Sequence, residues 1–132
     1  MRSQMLIAVF AVFAFRAYAP ASSTPKISDL VGDWSGTSLC QVKPSPCHDE
    51  SVIFHLSNPH ENKITIRADK IVDGKAVTMG VGDWTYEKST GKLVWQIPRG
   101  TWMMVVSDNT MDGTLIVPEN VVFRKIHLRK SK

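Results

Sequence analysis

The chain has 132 residues, 43% of them hydrophobic and 21% charged, a composition that fits one globular domain and excludes a disordered tail or a membrane bundle. Sixteen Lys and Arg against twelve Asp and Glu give a net charge of +4. Arg2 and Arg16 fall in a segment expected to be lost on export, and the near-neutral remainder lacks the clustered basic footprint of a nucleic-acid binder.

Met5 to Phe15 form an unbroken run of eleven apolar residues, too short for a spanning helix, which needs about 20. Such a run followed by small residues reads as a secretory signal. Ala17-Tyr18-Ala19 and Ala19-Pro20-Ala21 both offer a small-x-small cleavage site. Pro20 would follow the first cut directly, so the second is preferred. The expected organisation is a signal peptide over 1–21, a flexible lead over 22–29 and a single domain over 30–132. The mature protein is expected to be secreted or periplasmic, with no membrane span once the signal is cleaved.

From Ile27 onward the pattern alternates with a period of two, the signature of half-buried strands. Val52, Phe54 and Leu56 share a face, then Ile64, Ile66 and Ala68, then Val77, Met79 and Val81. Trp84 and Tyr86 follow, then Leu93, Trp95 and Ile97, the denser run Trp102 to Val106, and Leu115 with Val117. The last run places Val122, Arg124, Ile126 and Leu128 together. Turn residues separate the runs, and Asp73-Gly74 is the strongest hairpin signal. About eight consecutive strands without a crossover helix predict an all-β, antiparallel up-and-down barrel, since closure removes the sheet edges. A two-sheet sandwich is the alternative. Trp34, Phe54, Ile66, Trp95, Leu115 and Ile126 are expected to point inward. Val31-Gly32-Asp33-Trp34-Ser35 recurs as Val81-Gly82-Asp83-Trp84-Thr85, read as two strands that each need a glycine before a large inward ring.

Cys40 and Cys47 are the only cysteines. In an exported chain they predict a disulfide bracing the proline-rich loop between them. A zinc site is the competing reading, because His48, Asp49 and Glu50 follow directly, but the spacing of the cysteines fits zinc poorly. No nucleophile elbow, zinc-protease helix or phosphate loop occurs, and Gly80-Val81-Gly82 opens no helix. Neither catalysis nor a cofactor is therefore expected, and no metal site is assigned.

The Gly32-Asp33-Trp34 opening of the first strand resembles the lipocalin-like (calycin) barrels. That resemblance implies a tryptophan plugging a closed end and an arginine of the last strand lying across its ring, here Trp34 and Arg124. The chain also resembles, more weakly, the small periplasmic metalloprotease inhibitors, in which the N-terminal lead enters the protease cleft. Two functions follow as expectations. The first is binding of a small hydrophobic ligand without catalysis, lined by Phe54, Met79, Trp84, Trp95, Trp102 and Met104. The alternative is a protein-binding or inhibitory module with a filled barrel. It would act through the lead Ser22 to Ser28 and the braced loop, with His48, Asp49 and Glu50 as rim contacts. A cavity suited to a drug-sized molecule, about 300 Å³ or more, supports the carrier.

Overall fold

The computed structural model describes residues 14–17 and 24–132; both expected cleavage points lie outside the described residues. Eight strands run in order: β1 (Gly32–Cys40), β2 (Glu50–His60), β3 (Lys63–Val72), β4 (Lys75–Glu87), β5 (Lys92–Ile97), β6 (Gly100–Ser107), β7 (Thr110–Val117) and β8 (Val121–Lys130). Each pairs antiparallel with its successor, and β8 returns to β1 to close the barrel. The all-β, up-and-down architecture expected from the alternation is the one that forms. Asp73 and Gly74, both at positive φ, make the two-residue turn between β3 and β4, as that dipeptide predicts.

Ring closure depends on a missing side chain. A Cβ at Gly36 would stand 1.9 Å from the His127 carbonyl oxygen, so glycine is what lets β1 and β8 come within pairing distance. Inward parity then fills the barrel: Trp34, Phe54, Ile66, Leu115 and Ile126 are buried. Trp95, expected with them, is half-buried and packs against the same core.

One end is sealed. A 3-10 turn, Ile27–Leu30, crosses it and buries Leu30 completely. The Trp34 indole N–H donates to the Leu30 carbonyl at 2.9 Å. The Tyr86 hydroxyl donates to the Pro25 carbonyl at 2.6 Å. Residues 24–29, expected as a flexible lead, are thus seated against the barrel. The partner of Trp34 also differs from expectation. Trp34 pairs in register with Lys130, while Arg124 pairs with Cys40 at the far end of β1. Lys130 Nζ lies 5.9 Å from the Trp34 ring centroid and also donates to the Asp29 carbonyl. The cation over the plug is therefore Lys130 rather than Arg124, because the β1–β8 register carries Arg124 six residues along the wall.

The face Val77, Met79 and Val81 is corrected as well. These residues are 44%, 42% and 56% exposed. Counting back by two from the buried Tyr86 and Trp84 gives Gly82 and Gly80 the inward positions. A bulge then inserts Met79: Ala68 pairs with Gly80, but Asp69 pairs with Thr78. A second irregularity matters more. β4 pairs with β5 only from Thr85–Val94 to Glu87–Lys92, near the sealed end. Toward the opposite end, the mouth, these two strands part and leave a seam.

Replacing Gly36 with alanine should force β1 from β8 and cost about 1–3 kcal/mol, the usual range for overpacking. A thermal melt followed by circular dichroism checks this; an unchanged melting temperature would show that the closure tolerates a methyl group there.

Candidate functional site at the mouth of the barrel

The seam and the bulge shape an interior pocket of about 170 Å³, lined by Phe54, Ile66, Ala68, Met79, Gly80, Trp84, Trp95, Ile97 and Trp102. Its walls are mainly indoles. Trp84 stands 5.8 Å from Trp95 and 6.2 Å from Trp102, ring centroid to centroid, and meets Phe54 edge-on at 6.3 Å. Trp95 bridges the seam. A Cβ at Gly82 would lie 2.3 Å from its ring carbons, so the indole rests directly on the β4 backbone. Gly80 leaves neighbouring space open, and a Cβ there would meet Trp95 at an ordinary 3.8 Å.

Five of the six side chains expected to line a ligand site meet at this pocket. Met104 does not: it is fully buried nearer the sealed end, opposite Leu93 and Gly113. Ile66, Ala68, Gly80 and Ile97 complete the lining. Parity already placed Ile66 inward, but neither glycine spacing nor parity reveals where two strands separate. Among the described residues, the Trp84 indole N–H is the one buried side-chain polar atom without a hydrogen-bond partner. An unmet buried donor costs about 1–3 kcal/mol, and such groups concentrate where a structure serves something besides stability.

Charge gathers on the opposite inner wall, formed by β8, β1, β2 and β3. Arg124 Nη1 donates to the His48 carbonyl at 3.0 Å and to Ser38 Oγ at 3.2 Å. Glu50 Oε2 lies 3.6 Å from that same Nη1, and Glu50 Oε1 lies 3.7 Å from Lys70 Nζ. Glu50, expected at the rim with its neighbours, therefore turns inward between two cations. His48 and Asp49 stay exposed and border an open concavity with Lys43, Pro44, Ser45 and Cys47.

The Cys40–Cys47 disulfide is present, with Cα atoms 5.8 Å apart. It braces the loop as expected, and Asp49 adds a second tie by accepting the Cys40 N–H at 2.8 Å. Such a bond is what an oxidising compartment sustains. No group of His, Cys, Asp and Glu suited to a metal occurs among the described residues, and no helix among them is long and apolar enough to cross a membrane.

A polar cluster on the outer wall went unread in the sequence. His55 Nδ1 lies 2.7 Å from Asp33 Oδ1, and its Nε2 lies 2.9 Å from Asp69 Oδ2. Asp69 also accepts from the Thr78 hydroxyl at 2.8 Å and stands 3.5 Å from Arg67 Nε. Both nitrogens of the imidazole face carboxylates, which leaves neither for a substrate, so the cluster ties β1, β2, β3 and β4 together. Burial works to raise the Asp69 carboxyl pKa, but hydrogen bonds from Thr78 and His55 and the charges of Arg67 and His55 outweigh it, and the net shift is downward.

No protein-family profile matches the chain, and no curated protein sequence matches it either. The likeness to lipocalin-like barrels stands on the closed eight-stranded meander itself.

The direction of the Asp69 shift sets a pH dependence. A folded value below the ordinary 3.8 means that Asp69 contributes fully above the unfolded pKa and loses that contribution as pH falls through the folded value. Asp69→Asn should melt lower at neutral pH and show a shallower loss of stability below about pH 4. Melting curves across that range test it, and an identical acid limb in the two proteins would refute the assignment.

Proposed function

We propose that this protein is an exported β-barrel that binds a small, flat, apolar molecule among Trp84, Trp95 and Trp102, and does so without catalysis. The observation that carries the reading is the 170 Å³ indole-lined pocket. It falls short of the roughly 300 Å³ at which drug-sized ligands begin, yet exceeds the roughly 150 Å³ that suffices for benzene in an apolar cavity. The ligand, or the part of it held, is therefore the size of one ring or a small bicycle. The unmet Trp84 N–H supports a pocket shaped for use, since a core optimised only for stability would satisfy or exclude that donor. Export rests on the signal-like leader and on the Cys40–Cys47 bond.

The inhibitory alternative needs a free N-terminal lead. Pro25 held by Tyr86 and the turn at Ile27–Leu30 argue against it, and the pocket is preferred.

Calorimetric titration with benzyl alcohol tests the proposal. A ligand of this size should bind with Kd on the order of 0.1–1 mM, given typical free energies per heavy atom. Gly80→Val places a branched side chain in open space and should abolish the signal while leaving the β-sheet spectrum intact. Absence of saturable heat in the natural protein, or full binding by a folded Gly80→Val, would sink the reading.

A further inference from the structure

The interior at the mouth is two-sided. Indoles occupy the β4–β6 side, and the β8-β1-β2-β3 side carries Arg124, Glu50 and Lys70. Register places Lys70 one inward position nearer the mouth than Ala68, Glu50 two nearer than Phe54, and Arg124 level with Trp102. Phe54 pairs with Ala68, both lining residues, and Val52 pairs with Lys70, the next inward position on β3. On the other flank Trp102 pairs with Leu115, which pairs with Arg124.

Charge and hydrogen bonding are both incomplete there. Two cations share one carboxylate, which leaves one positive charge over. Neither cation comes within hydrogen-bonding distance of Glu50, at 3.6 and 3.7 Å. Every hydrogen bond of the Arg124 guanidinium runs through Nη1, and its Cζ lies 5.8 Å from the Phe123 ring centroid, so Nε and Nη2 have no hydrogen-bond partner among the described residues. Among the described residues, Glu50 is the one charged partner of Lys70. The side chains of Arg124 and Glu50 are only 13% and 17% exposed, so water compensates them poorly, and low local dielectric strengthens any ion that joins them.

Resting on the pocket reading above, we infer that the ligand is a small aromatic anion. Its ring lies among the indoles, and its single acidic group meets Lys70 and the free edge of the Arg124 guanidinium. A guanidinium edge and an ammonium both donate, and neither accepts, so the acidic group is held in its ionised form. Glu50 acts as the resting counter-ion that the ligand partly displaces. This gives the two side chains opposite roles toward one ligand, which a purely structural ion cluster would not show.

The test compares benzoate with benzyl alcohol, matched in ring and nearly in size, by calorimetry at low salt. Benzoate should bind about tenfold more tightly, the scale of one charge-assisted contact, and added salt should shrink the difference. The benzoate preference should fall about tenfold in Lys70→Gln and rise several-fold in Glu50→Gln, as expected when one attractive and one repulsive charge are removed in turn. Equal binding of the two probes, or a preference unmoved or shifted in the same direction by both variants, overturns the inference while the pocket reading survives. If neither probe binds, the pocket reading falls and takes this inference with it. Should either variant fail to fold, the ratio of the two affinities in the natural protein and its salt dependence decide the matter alone.

Discussion

The contact between the Trp95 indole and the bare backbone of Gly82 governs the mouth of this barrel. A strand bearing a side chain at that position would hold the ring away, since a single added carbon would overlap it. With the ring seated there, β5 leans over β4 without pairing with it beyond Val94. The parted strands expose the inner wall, and three indoles surround the space left between them. Ladder hydrogen bonds are given up along that stretch, and aromatic contact area takes their place.

The two ends of the barrel solve opposite problems. At the sealed end, Trp34, Leu30, Leu93, Met111 and Leu128 have no exposed surface, and the one polar atom of the plug is satisfied by a backbone carbonyl. This is core in the ordinary sense, dense and complete. Beyond the seal, polar satisfaction is left unfinished: the Trp84 indole N–H in the barrel interior lacks an acceptor, and at the mouth two cations pair with one carboxylate from beyond hydrogen-bonding distance. A protein stabilises one end fully so that the other can remain unsatisfied.

Much of the architecture was legible because strand parity is a local property. The alternation of Val52, Phe54 and Leu56, or of Ile64 and Ile66, states which side faces inward, and turn residues state where each strand stops. The disulfide was legible from compartment and number. Properties that depend on how distant strands slide past one another were not. Arg124 has the right parity to lie over Trp34, but the β1–β8 register sets it against Cys40 and brings up Lys130 instead. The bulge at Met79 broke the alternation of β4. The Asp33–His55–Asp69 chain spans three strands and leaves no spacing to read. The repeated Val-Gly-Asp-Trp tetrads show the same limit. Gly32 adopts a positive φ of 133°, whereas Gly82 is needed for a ring that arrives from β5, so one motif answers two separate demands.

The seal also links the two termini of the domain. Lys130 reaches the carbonyl of Asp29 across 101 positions of sequence, and every β1–β8 pair is comparably remote. Hairpins such as β3–β4 can form from neighbours, but the ring cannot shut until the last strand arrives. Folding is thus governed by a few very long-range contacts, the class that slows a chain most. Until they form, the meander is an open ribbon with two unpaired edges, each a template for a stray strand. The ten residues of β8 are therefore the part of the chain on which escape from aggregation depends.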